Sequence, residues 1–350
     1  MENRGSCKWL SKLPGDGLGR RVFLAGALGR VLPAQKPETS GFDLSLLDED
    51  TVPNELFFVR EHFAIPAGLS DAGWKITVAG SVARALEFSY EELLSPELRK
   101  ALPVTLECAE NPVDGGLVSH AEWMGCPLHT LLEKAGMNTG GKFVRLSGAD
   151  GFSRVLPLPK ALHPDTLLAY NMNGEKLPVS HGFPVRALVP GWYGMDSVKW
   201  LRRIEVMERP DPARGYVRLE RSLLAGIREG DPVREGKVKS VFSRPLDGAI
   251  LSRRRFTIRG AAWAGEARVK QVELSVDGGT SWRPARLSSS PRPYAWVQWS
   301  FDWQIPKPGS YEWAVRATDE MGRVQPAVRA STRADDYEWN SYQRVQVEVT

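Results

Sequence analysis

The chain has 350 residues, 42% hydrophobic and 25% charged, which is typical of a globular protein with room for two ordinary cores. Its formal net charge of +4 is small for this length and its basic residues are scattered, so the sequence gives nucleic-acid binding little support. No apolar run approaches the ~20 residues needed to cross a bilayer, and three cysteines are too few for a disulfide framework or a zinc cage.

The N-terminus combines paired arginines with a short apolar stretch. Arg20 and Arg21 precede Phe-Leu and small apolar residues up to Gly29, which resembles a twin-arginine export signal. Arg30 interrupts the stretch, and the alternative is a basic tail on a cytoplasmic protein. We expect residues 1–40 to form a leader or flexible tail, and we favour export to the periplasm.

Residues 41–230 show short strand and helix patterns between glycine and proline turns. A capping-box spacing at Ser89 predicts a short helix through Leu98. Pro127 opens a second helix, which Gly136 ends. Strands are predicted at Trp74–Val78, Lys142–Leu146, Phe183–Val189 and Leu201–Val206. This mixture predicts an α+β domain.

Cys108 follows a strand-like run, Val104 to Glu107, that breaks into a loop. A cysteine placed there is either a buried small hydrophobe or a soft thiolate ligand for a metal. Cys126 precedes a predicted helix, where a structural cysteine is commoner, and Cys7 lies in the N-terminal tail. The absence of a Cys-x-x-Cys-His motif argues against covalent haem in this chain.

Two further segments carry basic residues of the kind that a site for a negatively charged ligand needs. Arg60 and His62 are two residues apart on an extended stretch, so their side chains point to the same side. His181 and Arg186 flank a Gly-Phe-Pro turn, and Lys199 follows. Taken singly, each residue could equally well have no role in a site: the arginines could form ordinary salt bridges, and His181 could be a surface loop residue.

Beyond a charged connection over 208–236, short alternating strands take over. Gln271–Val276 alternates before a tight turn that starts at Asp277. Alternation returns in three segments, Val297–Trp303, Tyr311–Ala317 and Val345–Val349. These strands predict an all-β, immunoglobulin-like sandwich over residues 235–350.

In their order along the chain, Phe57–Pro66, the Cys108 segment and His181–Gly191 resemble the molybdopterin domain of the sulfite oxidase family. The likeness extends to sulfite dehydrogenase-like members and covers roughly residues 50–350. It implies one molybdenum–molybdopterin cofactor per chain, no haem in this chain, and a C-terminal immunoglobulin-like domain of the kind that mediates homodimers.

The resemblance also implies a role for each residue of the site. Cys108 would be the single protein ligand of the metal. Arg60 and Tyr216 would orient the substrate, and Arg344 would neutralise its charge, although a linker aromatic and a solvated arginine are the alternatives for the last two. The implied cofactor-binding set is Phe58, Val59, Arg60, Glu61, His62, Cys108, Asp150, His181, Arg186, Ser197, Val198 and Lys199.

The implied activity is oxygen-atom transfer, with sulfite oxidised to sulfate and electrons passed to an external c-type cytochrome. One departure affects the substrate. Family members read Cys-Ala-Gly-Asn-Arg-Arg after the ligand, whereas here Glu110 enters and the arginine pair is missing. That change should weaken binding of a small dianion. The alternatives are a molybdopterin reductase or oxidase of a sulfoxide or other oxo compound, and a metal-free binding or scaffold protein.

Overall fold

A computed structural model describes residues 38–47, 50–210, 216–222, 226–252 and 255–350. The predicted export signal, Cys7 and the arginines at 253–254 lie outside these residues. The described residues fall within one unit, Gln35–Thr350. None of the helices in these ranges is long and apolar enough to span a membrane.

Strands dominate the described residues. In chain order they are β1 Thr39–Ser40, β2 Val59–Arg60, β3 Lys75–Gly80, β4 Leu86–Ser89, β5 Lys100–Glu107, β6 Val118–Pro127, β7 Phe143–Gly148, β8 Ser153–Pro157, β9 Leu167–Met172, β10 Glu175–Lys176, β11 Arg186–Leu188, β12 Leu201–Met207, β13 Val217–Ser222, β14 Gly226–Pro232, β15 Lys239–Arg244, β16 Ala249–Leu251, β17 Arg255–Trp263, β18 Val269–Ser275, β19 Arg283–Pro284, β20 Arg286–Leu287, β21 Val297–Gln304, β22 Gly309–Asp319 and β23 Gln343–Val349. The helices are α1 Tyr90–Leu93, α2 Leu128–Ala135 and α3 Leu158–Ala161, with 3-10 turns at Leu44–Leu46, Pro96–Leu98, Val179–His181 and Gly194–Asp196. The N-terminal region is therefore poorer in helix than the predicted α+β mixture.

One five-stranded sheet has the order β4-β3-β12-β7-β8, with β12 parallel to β3 and antiparallel to β7. Three of its strands were predicted, and their ends differ by at most two residues. Apolar side chains from alternate positions are fully buried in its core, as Ile76, Val78, Leu146 and Ile204 show. The turn between β7 and β8 carries Asp150.

Both predicted helices begin where the sequence indicates. Ser89 Oγ accepts from the Glu92 amide at 3.2 Å, and the Glu92 carboxylate accepts from the Ser89 amide at 2.7 Å, which completes the capping box. The first helix is shorter than predicted, because Pro96 interrupts the helical hydrogen bonds and a 3-10 turn follows. α2 ends at Gly136, whose φ of +66° is readily available only to glycine.

A second sheet has the order β10-β9-β6-β5, and β11 also pairs with β9, antiparallel, at Leu167–Ala169. β5 ends at Glu107, so Cys108 follows a strand end as predicted. The strand predicted over Phe183–Val189 is confined to β11, because Pro184 has no amide hydrogen to give to a ladder.

The connection predicted over 208–236 contains a hairpin, β13–β14. Arg218 donates to the Glu338 carboxylate at 2.6 and 2.9 Å, and the Leu219 amide donates to Asp335 at 2.7 Å. The charged residues that resembled a linker in the sequence therefore fasten this hairpin to the loop before β23.

Two further sheets, β15-β17-β21-β20 and β16-β23-β22-β18-β19, share one apolar core. The predicted alternation is confirmed in β23, where Val345, Val347 and Val349 are buried and the residues between them are exposed. Trp299 and Trp313 fill the centre. The immunoglobulin-like arrangement of this region stays a prediction.

A buried ion pair joins the C-terminal region to the strand that leads to Cys108. Lys239 donates to Glu107 Oε1 at 3.0 Å, and Trp263 Nε1 donates to Glu107 Oε2 at 2.8 Å. Lys239 is 1% exposed. Because a buried carboxylate needs donors for its oxygens, the C-terminal region completes the base of the Cys108 loop. The domain limits 41–230 and 235–350 stay predictions.

Candidate functional site

A cavity lies where several loops leave the sheets of the N-terminal region. Its volume is about 770 Å³, which includes the solvent space at its opening. All the predicted site residues except Val59 and Arg344 line it. The lining side chains are Phe57, Phe58, Arg60, Glu61, His62, Leu106, Cys108, Ala109, Glu110, Asp150, Phe152, His181, Arg186, Gly194, Met195, Ser197, Val198, Lys199, Trp200 and Tyr216. The fold therefore brings together segments that are far apart in the sequence.

Cys108 forms part of the cavity wall directly after β5. Its amide donates to the Leu117 carbonyl at 2.9 Å and its carbonyl accepts from the Asn111 amide at 3.0 Å, so the loop is tied at both sides of the thiol. Burial raises the pKa of the Cys108 thiol to about 11, against the opposing effect of the Glu110 amide. A bound metal cation would be needed to hold this group as a thiolate at neutral pH.

Two cationic groups are also buried in the cavity wall. The Arg186 guanidinium donates to the carbonyls of His181 at 3.1 Å and Ser197 at 2.9 Å, and burial lowers its pKa to about 9. The Lys199 amine lies 3.6 Å from Glu61 Oε1, and neither atom has a hydrogen-bond partner among the described residues. Burial and then the charge of Arg186 lower the pKa of Lys199 to about 8.

This buried positive charge fits an anionic ligand. An amine without an acceptor is costly in a dry site, and phosphate oxygens bind lysine and arginine strongly. A pterin cofactor that ends in a phosphate would supply the missing acceptor for Lys199. The single thiolate of Cys108 suits a soft-ligand metal whose other sulfurs come from the pterin. The residues present therefore fit the molybdopterin cofactor.

Gly182 lets the two cations approach each other. Its φ is +105°, and a Cβ there would lie 2.9 Å from Arg186 Cβ and 3.2 Å from Lys199 Cα, so only glycine is accommodated without strain. Beside it, His181 Nε2 donates to the Asn54 carbonyl at 3.0 Å, and burial lowers the His181 pKa to about 4. This imidazole is therefore neutral at pH 7.

Ser197 and Asp150 support the backbone that forms the cavity wall. Ser197 Oγ accepts from the Val189 amide at 3.0 Å. Asp150 Oδ1 accepts from the Phe152 amide at 3.0 Å, which is the hydrogen bond of an ordinary Asp-Gly turn. Both residues still face the cavity. Their side chains are therefore partly committed to holding the loops.

The more open side of the cavity carries Arg60 and Tyr216. Arg60 Nη2 donates to Glu110 Oε2 at 2.8 Å. The Tyr216 hydroxyl forms a hydrogen bond with His62 Nε2. Burial lowers the pKa of His62 and raises that of Tyr216 to about 12, so both groups are neutral at pH 7. This side therefore offers a paired guanidinium and two neutral polar groups.

Three side chains that contact Tyr216 or His62 were not predicted from the sequence. The Arg154 guanidinium lies 5.0 Å from the centre of the Tyr216 ring, and its Nε donates to buried Asp196 at 2.7 Å. Phe152 stacks on His62 with ring centres 4.7 Å apart, and Tyr337 meets Tyr216 edge-on at 5.4 Å. One available signal is that Arg154 alternates in register with buried Leu156 in β8, an unusual position for an arginine.

The structure does not place Arg344 or Val59 at the cavity. Arg344 pairs with Glu312 and donates to the Gly278 carbonyl at 3.1 Å, on the face of β23 that points away from the core. Val59 is buried, while Phe58 and Arg60 face the cavity, because successive residues of an extended segment point to opposite sides. The predicted substrate role of Arg344 is therefore corrected to a surface ion pair.

Replacement of Arg344 by alanine is expected to change KM for an anionic substrate by less than about twofold, because exposed ion pairs contribute little and this one is far from the cavity wall. Steady-state kinetics on the purified variant measure it. A KM raised about tenfold or more would return Arg344 to the substrate site.

Replacement of Lys199 by methionine is expected to lower the molybdenum and pterin content of the purified protein about tenfold, since a charge-assisted hydrogen bond to phosphate is lost. Metal analysis and the fluorescence of the released, oxidised pterin measure both. Lys176→Met is the matched control, because Lys176 is exposed and pairs with Asp71 at the surface. Full cofactor content in the Lys199 variant would contradict the assignment.

Two segments of the chain match known domain families. Residues 62–215 match the oxidoreductase molybdopterin binding domain, and residues 231–350 match the Mo-co oxidoreductase dimerisation domain. The first match begins at His62 and includes Cys108, and the second covers the sheets from β15 to β23.

Several relatives align along most of the chain. Sulfite oxidase of Gallus gallus is 34% identical over 85% of this chain and 73% of its own length. The mitochondrial sulfite oxidase of Mus musculus is 31% identical over 90% of this chain and 65% of its own length. An NADH nitrate reductase of Nicotiana tabacum is 30% identical over 78% of this chain and 36% of its own length. The chain thus spans about two thirds of the animal proteins.

Among solved structures, the sulfane dehydrogenase SoxCD from Paracoccus pantotrophus superposes with a TM-score of 0.82 at 28% identity. The superposition covers 92% of this chain and 87% of that one. The fold around the cavity is therefore shared with a known sulfur-compound dehydrogenase.

Proposed function

Since this chain belongs to the sulfite oxidase family of molybdopterin oxidoreductases, we propose that it transfers an oxygen atom from water to a small sulfur substrate, with sulfite oxidised to sulfate as the first candidate reaction. One observation carries the proposal. The Cys108 thiol lines the same cavity as two buried cations, one of them with unused donors.

Cys108, Arg186 and Lys199 would hold the cofactor. The thiolate of Cys108 would bind the metal, and the two cations would bind the pterin phosphate together with backbone groups near Ser197 and Val198. When bound, the molybdenum cofactor supplies the two-electron oxygen-atom exchange that no side chain can perform. Neutral His181 adds no charge to this region and, through the Asn54 carbonyl, keeps the loop in place.

Arg60, Tyr216 and His62 would handle the substrate and its protons. The guanidinium nitrogens of Arg60 can bind the oxygens of an oxyanion with charge-assisted hydrogen bonds. Oxidation of sulfite by water releases two protons and two electrons. The His62 imidazole is neutral at pH 7 and its Nε2 is hydrogen-bonded to the Tyr216 hydroxyl, so in the tautomer with an unprotonated Nε2 it would receive a proton passed through that hydroxyl.

The electrons have to leave the chain, because the reaction yields two of them and the sequence lacks a haem-attachment motif. We propose an external c-type cytochrome as the acceptor, periplasmic export through residues 1–40, and a homodimer formed by the C-terminal region. The match of residues 231–350 to the dimerisation domain supports the last of these. Sedimentation of the full chain at several concentrations tests it.

A second candidate keeps the cofactor and changes the substrate to a sulfoxide or another uncharged oxo compound. The observation in its favour is that Glu110 pairs with Arg60 and leaves the pair without net charge. The nitrate reductases among the relatives also indicate that this family is not restricted to sulfite.

Elemental analysis for molybdenum, followed by a sulfite and cytochrome c turnover assay on the same sample, tests the proposal. About one molybdenum per chain with sulfite turnover is the expected result. Molybdenum without sulfite turnover would favour the second candidate, and an assay of sulfoxide reduction then tests it. Protein without molybdenum, made in a host that synthesises the cofactor, would favour a binding or scaffold role.

A further inference from the structure

Glu110 and Arg60 form an ion pair in the more open part of the cavity wall. Arg60 Nη2 donates to Glu110 Oε2 at 2.8 Å, while Nη1 donates to Thr39 Oγ1 at 3.2 Å. The two paired side chains are 33% and 35% exposed, and both line the same cavity as Cys108. The pair is therefore accessible to a ligand in the cavity that Cys108 lines.

The neighbouring cations are either paired with a carboxylate or assigned above to the phosphate of the cofactor. Arg154 is buried and paired with Asp196, and burial keeps His62 neutral at pH 7. Lys199 lies on the buried side of the cavity against Glu61. Among the described lining residues of the open side, Arg60 is the cation left for an anionic ligand.

We infer that Glu110 is a specificity-determining residue, which competes with anionic ligands for the Arg60 guanidinium and makes the cavity select an uncharged sulfur or nitrogen oxide over a dianion. The inference rests on the second candidate of the proposed function, an uncharged oxo substrate, because it names the residue that would favour that substrate class over sulfite in the same cavity.

The physical reason is a difference in repulsion. A dianion can reach Arg60 only by displacing the Glu110 carboxylate or by binding beside it, and either arrangement brings like charges close together. An uncharged S–O or N–O group can accept a hydrogen bond from the remaining N–H groups of Arg60 without that repulsion.

Sulfate and dimethyl sulfone make a matched pair of probes, because both present oxygens on a tetrahedral sulfur but only sulfate is charged. In calorimetric titrations of the purified full chain, Glu110→Gln is expected to bind sulfate at least about tenfold more tightly than the parent protein. Its affinity for dimethyl sulfone should change by less than about twofold, because no charge repulsion is relieved.

The variant Arg60→Gln/Glu110→Gln is the control, and it should lose the gain in sulfate affinity. Glu110→Ala replaces Glu110→Gln if the glutamine variant does not fold. Unchanged sulfate affinity in the folded single variant would overturn the inference. So would an equal gain for dimethyl sulfone, or a gain that persists in the double variant.

These titrations separate the inference from the proposed function. Sulfate binding requires neither turnover nor a known substrate, whereas the proposed function is tested by molybdenum content and oxygen transfer. A gain in sulfate affinity in protein that shows no oxygen transfer supports the inference and removes the proposed function. Oxygen transfer with unchanged sulfate affinity does the reverse.

Discussion

Replacement of Cys108 by serine is expected to reduce oxygen transfer at least about a thousandfold, which corresponds to roughly 4 kcal/mol of transition-state stabilisation. A serine oxygen is a harder ligand than a thiolate sulfur, and its hydroxyl loses its proton far less readily, so it does not suit a metal with sulfur ligands. The pterin should remain bound, because Arg186 and Lys199, which would hold its phosphate, are unchanged in this variant.

Turnover per molybdenum and pterin content per chain are the two quantities to measure. Cys126→Ala is the control, since Cys126 is also a free thiol but is fully buried in the apolar core. Its loss should lower stability and leave turnover per molybdenum unchanged. Turnover by the Cys108 variant at the parent rate would refute the ligand assignment, and loss of the pterin from that variant would refute the separation of thiol and phosphate sites.

The local patterns of the sequence predicted much of the fold because they report short-range physics. The capping box at Ser89, the glycine stop at Gly136 and the alternation in β23 each follow from contacts within a few residues. The hairpin β13–β14 was missed because its stability comes from distant partners. Arg218 reaches Glu338, 120 residues further along the chain, and no local pattern indicates that pair.

The same distinction between local patterns and distant contacts applies to the site. Arg60, Cys108, Arg186 and Lys199 were predicted from segments that resemble a known family, and the fold places all of them around one cavity. The sequence showed that Glu110 departs from the family pattern, but it could not show that the Glu110 carboxylate binds Arg60. Arg154 was missed, because its contacts with Tyr216 and Asp196 depend on how β8 packs against loops from two other parts of the chain.

The C-terminal region also contributes to the site through the buried contacts of Glu107. Its Oε1 accepts from Lys239 and from Asn111 Nδ2 at 3.0 Å each, and its Oε2 accepts from Trp263 Nε1 at 2.8 Å. Removal of residues from about 237 onward is the simplest test of a dimer. It would also remove two of the donors to Glu107, Lys239 and Trp263. Such a truncation would therefore test the stability of the Cys108 loop as well as the oligomeric state.

Replacement of Lys239 by methionine is expected to destabilise the protein by about 3–5 kcal/mol, because it leaves the Glu107 carboxylate buried without its cation. The Pro112 carbonyl also loses its donor, at 2.8 Å from Lys239 Nζ. Since Glu107 directly precedes Cys108, we expect turnover per molybdenum to fall as well. Urea unfolding and turnover per molybdenum measure the two effects.

The double variant Glu107→Gln/Lys239→Met separates charge from packing. The amide of glutamine can still accept from Trp263 Nε1, and no uncompensated carboxylate remains, so we expect the double variant to recover a large part of the lost stability. If both variants are equally unstable, the loss comes from packing around Lys239 and the ion pair has no special role. If the Lys239 variant is as stable as the parent protein, the ion pair with Glu107 does not stabilise the fold, and the C-terminal region does not position Cys108 through charge.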